Sequence, residues 1–162
     1  MGKVDQGFFV LWAARHLYGG SLRYSGFGGE GLQVRDVLHI ADLYDLVRRQ
    51  IQDLSRYDGG VFNVGGGPER SVSLAELTRM CRDRVASSIS ISRDPETGQA
   101  DVPYYVTDNS HITQISGWWP QRSLGVLLDD VFSWLRGHRA VLEPILGELS
   151  PAVREHSRAT IS

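Results

Sequence analysis

Near the start of the chain stands Leu22-Arg23-Tyr24-Ser25-Gly26-Phe27-Gly28-Gly29-Glu30-Gly31-Leu32-Gln33-Val34-Arg35-Asp36-Val37-Leu38-His39-Ile40. Residues 22–25 read as a short strand, 26–31 as a glycine-rich excursion, and 37–40 as a second extended piece leading to Asp42. Asp42 is placed to cap a helix to Leu54, whose apolar residues Leu43, Leu46, Val47, Ile51 and Leu54 recur at helical spacing. The excursion is a literal G-x-G-x-x-G. A dinucleotide fingerprint, however, needs its glycines to end a strand and open a helix, so that helix N–H groups meet the pyrophosphate. Here no helical pattern begins before Asp42. The excursion therefore reads as a loop between two strands, able to close over a ligand.

Outward from this stretch, helices and strands alternate. Residues 5–18 read as a helix with Asp5 as N-cap and Gly19-Gly20 as its stop. Beyond the break at Gly59-Gly60, Val61-Phe62-Asn63-Val64 reads as a strand buried on both faces of a parallel sheet. Few other strands are available to surround it, so the rest of that sheet is expected outside this chain. Ser73-Leu74-Ala75-Glu76 is a capping box for a helix to Val85. Ile89 and Ile91 mark a strand, residues 93–101 a polar loop, and 104–106 another strand. Asp108 or Asn109 caps a short helix ending at Gly117, and Trp118-Trp119-Pro120 turns the chain. Ser123 caps a last long helix, and a frayed tail follows from Pro151. The predicted fold class is α/β.

The chain has 162 residues, 41% hydrophobic and 22% charged, enough to bury a core. Its net charge of −2 gives no electrostatic reason for nucleic acid or an anionic membrane as partner. No apolar run approaches the ~20 residues that span a bilayer, and Asp5 interrupts the place of a signal peptide. One cysteine, Cys81, excludes an internal disulfide framework and a multi-thiolate metal site. The expected location is cytoplasmic. Lys3 is the single lysine; the other 16 basic residues are arginines. Mechanisms that need a lysine after position 3 are thereby excluded, among them a Walker A lysine and a Tyr-x-x-x-Lys pair.

Gly65-Gly66-Gly67 follows the apolar strand, but Pro68-Glu69-Arg70-Ser71 intervenes before the next helix, which favours a plain connection over a cofactor cradle. Arg35 has two readings. Its planar guanidinium can fork two phosphate oxygens, or it pairs at the surface with Asp36 or Asp42. The five histidines show no pair at metal-ligand spacing. His39, between apolar neighbours, reads as a hydrogen-bonded core histidine, Asp129-Asp130 as a solvated helix face, and Cys81 as an inert packing residue.

Residues 24–39 resemble a segment of nucleotide-sugar epimerases of the extended short-chain dehydrogenase/reductase family. The resemblance continues in order through Asp5-Gln6-Gly7, Asp42-Leu43, Val61-Phe62-Asn63-Val64-Gly65-Gly66, Ser73-Leu74, Asp101-Val102-Pro103, Asp108-Asn109, Gly117-Trp118 with Pro120, and on to Trp134. It implies the C-terminal, substrate-binding part of such an enzyme over residues 1–137, with 61–64 in an incomplete Rossmann sheet. Residues 138–162 would be a C-terminal helix and tail. Met1 would then be an internal methionine or the edge of a truncated gene. NAD is the family's cofactor, but its glycine fingerprint and Tyr-x-x-x-Lys set have no counterpart here, so no cofactor and no catalysis are expected of this chain alone.

By the same resemblance, Arg35 matches the family's first arginine on the sugar-nucleotide diphosphate. Residues 24–28 match the strand and turn along the nucleotide. The implied substrate-binding residues are Tyr24, Ser25, Gly26, Gln33, Arg35 and Asp101. A second phosphate arginine normally stands three residues before the aspartate matching Asp101, where this chain has Gly98; Arg93 is nearby but out of register. Losing one charge-assisted contact costs roughly 1.5–3 kcal/mol, about ten- to a hundredfold in affinity. The expected partners are a weakly held nucleotide-diphosphate sugar and a second copy, giving a dimer or larger through the incomplete sheet with Val61, Phe62 and Val64 near the interface. Two alternatives stand beside this reading: another member of the family, a 4-epimerase or sugar dehydratase, and a non-catalytic remnant that self-associates.

Overall fold

The computed structural model describes residues 7–99 and 101–147; the expected cap Asp5 and the tail from Pro151 lie outside them. Helix α1, Phe8–Tyr18, buries Phe9, Trp12, Ala13 and His16 and ends at Gly19, whose N–H still reaches the Arg15 carbonyl at 3.0 Å. Strand β1, Leu22–Ser25, follows. The second strand, β2, is Val34–Asp36. It starts three residues earlier than the expected 37–40, because the Val34 and Arg35 backbone finds partners on both sides and Asp36 on one. To one side lies β3, Ser71–Ser73, antiparallel, with Arg35 opposite Val72. To the other lies β5, Tyr104–Tyr105, parallel, with Arg35 opposite Tyr105. β1 pairs in parallel with β4, Ile91–Asp94, setting Leu22 opposite Ile91 and Ser25 opposite Asp94. The result is a mixed α/β chain with one two-stranded and one three-stranded sheet among the described residues.

The cap of the next helix also differs from expectation. Helix α2, Ile40–Gln52, begins one turn early, and His39 caps it by accepting the Ala41 N–H on Nδ1 at 3.0 Å. Asp42 is instead 1% exposed inside the fold. Its Oδ1 takes Arg122 Nη1 at 2.5 Å and its Oδ2 takes the Arg122 N–H at 3.1 Å. A single turn, α3 (Leu54–Tyr57), completes this arm.

Helix α4, Leu74–Val85, carries the expected capping box: Glu76 N–H donates to Ser73 Oγ, and Ser73 N–H donates to the Glu76 carboxylate at 2.9 Å. Helix α5, Ser110–Ser116, stops at left-handed Gly117. The last long helix is two: Ser123 caps α6, Leu124–Gly137, and the chain breaks at His138 before α7, Arg139–Leu146. No described helix is long and apolar enough to cross a membrane.

Helices α1, α4 and α6 enclose the main core of Phe9, Trp12, Leu77, Cys81, Leu128, Phe132 and Leu135. At ~1.5–3 kcal/mol for each large side chain removed from water, this packing fixes α1 and α4 as a rigid wall. Burial pushes the Cys81 thiol up to about 12, consistent with a packing role. Asp129 and Asp130 are not merely solvated: Asp129 pairs with Arg84 at 2.6 Å and Asp130 meets His39 Nε2 at 3.0 Å.

A second, smaller core joins Leu46, Ile112 and Trp118, with Phe62 and Val64 packed against it. Residues 61–64 pair with neither sheet. They alternate instead: Val61 is 89% exposed, Phe62 and Val64 are half-buried. The expected two-sided burial is absent among the described residues, where no strand lies alongside them.

Candidate functional site

Four backbone segments converge beside the glycine turn. β1 ends at Ser25, the turn brings Phe27, the approach to β2 brings Gln33, and β2 carries Arg35. With Phe8 at the start of α1, Leu74 at the start of α4 and Asp101 from the loop before β5, they line a cavity of about 380 Å³. Ser25, Gln33, Arg35 and Asp101 are thus brought together from among the six residues singled out in the sequence. Gly26 lies against the same wall, where a Cβ would sit 3.3 Å from Gln33 Nε2 and 3.8 Å from Asp101 Oδ2. Tyr24 is elsewhere. Its ring stacks on Trp12 at 5.8 Å and its hydroxyl meets Thr78 Oγ1 at 2.7 Å, so it ties β1 to the core.

The conformation of the turn explains its glycines. Gly26, Gly28, Gly29 and Gly31 all adopt positive φ, and Gly29 could not take a Cβ without coming within 2.9 Å of the Asp94 N. Phe27 shares the left-handed conformation, with φ of 49°. Its N–H donates to Thr97 Oγ1 at 2.9 Å, which fastens the turn to the loop after β4.

Arg35 pairs with neither Asp36 nor Asp42. Nη1 donates to the Val34 carbonyl at 2.8 Å and Nη2 to the Val102 carbonyl at 2.8 Å. Asp36 is occupied elsewhere, accepting the Gly67 N–H at 3.0 Å, and Asp42 is held by Arg122. Carbonyl dipoles orient a guanidinium without neutralising it, so its full charge is available to the cavity. Gln33 donates its amide N–H to the Ser25 carbonyl, and its Oε1 is buried with no protein donor. Gly98 turns toward Asp101, whose N–H donates to the Gly98 carbonyl at 3.0 Å. Arg93 packs behind Gly29 and is not among the residues lining the cavity.

The cavity combines one cation, Arg35, and one carboxylate, Asp101, not paired with each other, with an acceptor from Gln33 and an apolar side formed by Phe8, Phe27 and Leu74. Such a mixture suits an amphipathic anion carrying hydroxyls and a flat apolar part. Two residues that sequence reasoning missed, Phe8 and Leu74, belong to this apolar side, and only the fold brings them to Phe27.

Neither glycine cluster fits a dinucleotide pyrophosphate. Gly65 N–H donates to Asn109 Oδ1 and Gly67 N–H to Asp36 Oδ2, both at 3.0 Å, so these donors are spent inside the protein. A Cβ on Gly66 would sit 2.3 Å from the Val37 carbonyl oxygen: the glycines there permit close backbone approach. The 26–31 turn holds only a single 3-10 turn, Phe27–Gly29, and leads into β2 rather than into an α-helix. Among the described residues no group of His, Cys, Asp and Glu could hold a metal ion.

No protein-family model matches the chain. It is 31% identical over 106 residues to the CDP-paratose 2-epimerase of Salmonella typhi, an overlap of 65% of this chain and 31% of the relative. It is 29% identical over 108 residues to the UDP-glucose 4-epimerase of Yersinia pestis, 65% of this chain and 30% of that one. In structure it is similar to the UDP-glucuronic acid 4-epimerase of Bacillus cereus, solved with UDP-glucuronic acid and NAD. The TM-score is 0.68 at 19% identity, over 82% of this chain and 40% of that one. The chain thus spans about a third of the length of the curated relatives it matches. The observed α/β fold agrees with the one that the resemblance implied, and that resemblance extends over sequence and structure alike.

Proposed function

We propose that this chain, a relative of the NAD-dependent nucleotide-sugar epimerases of the extended short-chain dehydrogenase/reductase family, is the C-terminal nucleotide-sugar-binding part of such an enzyme. The observation that carries this reading is the convergence of Ser25, Gln33, Arg35 and Asp101 on one cavity, with an Arg35 that has no carboxylate partner among the described residues. In this reading Arg35 holds the diphosphate by charge-assisted hydrogen bonds, Asp101 accepts from ligand hydroxyls, and the glycine turn lies along the nucleoside. NAD supplies hydride transfer in the family's enzymes. The fingerprint and Tyr-x-x-x-Lys set are not in this sequence, so that chemistry belongs outside this chain, which alone holds the nucleotide sugar weakly and turns nothing over. Its place of action is the cytoplasm, in keeping with a single buried thiol.

NMR titration with CDP and UDP tests the reading. Shifts should appear at residues 25–35 and 101 and vanish in Arg35→Ala. Unchanged binding in that variant sinks it. Micromolar NAD binding by calorimetry would overturn the assignment of the cofactor to residues outside this chain.

A second reading, self-association, has its own support. Ile40, Tyr44, Ile51 and Leu54 project from one stripe of α2 and α3, each 65–74% exposed, and Val61 is 89% exposed nearby in sequence. In a longer chain this stripe and residues 61–64 would meet the remainder of the sheet domain. Without it, a second copy covers them, giving a dimer or larger. Val61 and the α2 stripe, rather than half-buried Phe62 and Val64, then form the interface.

A further inference from the structure

Away from the Arg35 cavity, the chain after α5 lays a second polar cavity against α2. Trp118 is 3% exposed and its indole N–H donates to the Asp42 carbonyl at 3.1 Å, and Pro120 is buried as well. These two anchor the strip, so the residues that alternate with them, Trp119 and Gln121, project outward. The Gln121 amide N–H donates to the Trp119 carbonyl at 3.1 Å, which fixes the side chain and leaves its Oε1 as an acceptor. Trp119 is 55% exposed. With Asp45, Arg48 and Arg49 of α2, they line a cavity of about 260 Å³ that shares no lining residue with the Arg35 cavity.

The charges around this cavity do not cancel. Asp42 and Asp45 both turn to Arg122, at 2.5 and 3.5 Å. Arg48 and Arg49 have no hydrogen-bond or carboxylate partner among the described residues. Three guanidiniums against two carboxylates leave a net charge of +1. A place in the last turn of α2 suits Arg49, since a cation eases a helix C-terminus. It accounts neither for a second unpaired guanidinium on the same cavity nor for an exposed indole beside the two. Guanidinium forks match the oxygens of a phosphate, and the face of an indole seats the apolar side of a ring. Gln121 Oε1 and Asp45 Oδ1 are acceptors for hydroxyls. The volume lies below the roughly 300–1,000 Å³ of sites for drug-sized ligands, which limits the occupant to one small ring and its phosphate.

We propose that Arg48, Arg49 and Trp119 form a second binding site, for the phosphate monoester of a small polyol ring. The two guanidiniums hold the phosphate, the Trp119 indole lies against the C–H face of the ring, and Asp45 and Gln121 accept from its hydroxyls. The site goes beyond the nucleotide-sugar reading and does not depend on it, because none of its residues belongs to the Arg35 cavity.

NMR titration of the full chain with glucose 6-phosphate, with inorganic phosphate and with glucose tests the site. Glucose 6-phosphate should shift the amides of Arg48, Arg49 and Gln121 and the indole N–H of Trp119, in wild type and equally in Arg35→Ala. Glucose alone should bind far more weakly. Arg48→Gln combined with Arg49→Gln should weaken both phosphates by about tenfold or more, the effect of losing charge-assisted contacts. The melting temperature of that variant should hold, since neither arginine has a partner among the described residues to lose. Trp119→Ala should weaken glucose 6-phosphate and spare inorganic phosphate. If Trp119→Ala binds both phosphates as wild type does, the seat for the ring is wrong. If the double arginine variant binds them as wild type does, or the shifts fall at residues 25–35 and vanish in Arg35→Ala, there is no second site. Wild-type spectra unchanged at millimolar glucose 6-phosphate would overturn it as well.

Discussion

Arg35 Nη2 donates to the carbonyl oxygen of Val102 across 2.8 Å, joining the central strand of the small sheet to the loop that carries Asp101. A second donor, Nη1, reaches the Val34 carbonyl, also at 2.8 Å. The guanidinium is held from two directions by neutral acceptors. This sets its plane and leaves its charge uncancelled. Lysine can supply the charge but not the fork. Arg35→Lys should therefore keep a trace of CDP binding yet free the 98–103 loop, whereas Arg35→Ala loses binding outright. Amide exchange in residues 101–103 distinguishes them from wild type: faster exchange is expected in both variants.

The Gly65-Gly66-Gly67 cluster is a packing device. Its peptide donors go to Asn109 and Asp36, and a methyl group on Gly66 would stand 2.3 Å from backbone oxygen of Val37. Backbone at that distance cannot step aside as a side chain can. Gly66→Ala should lower stability by more than the ~1 kcal/mol spread of ordinary substitutions, read as a drop in urea midpoint. Gly137→Ala, with open space around the new Cβ, should be harmless or slightly stabilising. Equal effects of the two would show that the close approach is not tight.

How much of this was legible in the sequence depends on the range of the forces involved. The capping box of Ser73 and Glu76, the stop at Gly19 and the left-handed Gly117 are local, and the sequence states them directly. Asp42 looked like a cap by the same local logic. It is instead 1% exposed, because Arg122, 80 residues on, offers a better partner than a helix N-terminus that His39 already serves. Residues 34–36 lack the apolar run of a buried strand; β3 and β5 make them one. The apolar run at 61–64 lacks such neighbours and stays unpaired. In the site, Ser25, Gln33 and Arg35 were readable because they sit in one recognisable stretch, and Asp101 because it opens the separate match Asp101-Val102-Pro103. Phe8, Leu74 and the misplaced Tyr24 depended on how α1 and α4 pack, which no local pattern encodes.

His16 gives the chain a pH dependence of definite sign. Burial, and secondarily the Arg82 guanidinium, lower its imidazole from 6.5 to about 4. Between those values the unfolded chain takes up a proton that the native one refuses. Its contribution is complete above pH 6.5, declines as pH falls toward 4, and changes no further below that. One proton gives a slope of at most about 1.4 kcal/mol per pH unit. Urea midpoints at pH 7, 6 and 5 should fall in order, and His16→Gln should flatten the trend. Glu76 acts with the same sign lower down: hydrogen bonds from the Ser73 hydroxyl and N–H hold its carboxyl below 4.5, so what it adds disappears on further acidification. An unchanged slope in His16→Gln would assign the pH dependence to other groups.

Two ion pairs of similar geometry should behave differently. Arg139 holds Glu143 with two bonds of 2.8 Å on the surface of α7, where both side chains are well exposed. Arg122 holds Asp42 at 2.5 Å, and that carboxylate is shut inside the fold beside Trp118, whose indole N–H donates to the Asp42 carbonyl at 3.1 Å. Removing Arg139 returns Glu143 to water; removing Arg122 strands a buried charge. Arg122→Ala should therefore lower the melting temperature clearly, with Arg139→Ala nearly silent. The Asp42→Asn exchange in the Arg122→Ala background should recover part of the loss, since it deletes the stranded charge. Equal melting temperatures for the two arginine variants would mean that water reaches the Asp42 carboxylate once the Arg122 side chain is gone.

The exposed apolar stripe makes the last prediction. Ile40, Tyr44, Val47 and Ile51 fall at spacings of three and four, so they share one face of α2; Leu54 opens the turn that follows, and each of the five is at least 41% exposed. The opposite face packs Leu46 into the smaller core, so the helix is apolar on both sides. Left in water, a continuous apolar face of this kind drives association, and one copy can cover another through a twofold axis. Sedimentation equilibrium at tens of micromolar should give a mass above the 18.0 kDa of a single chain. Charges placed at the stripe, Ile51→Glu with Leu54→Glu, should restore the monomer without unfolding it, because neither side chain is buried in the chain itself. Val61→Asp should act in the same direction, while Phe62→Ala should instead weaken the fold by removing a ring that packs on the smaller core. A wild-type chain that sediments at 18.0 kDa throughout that range would show that the stripe remains exposed without recruiting a second copy.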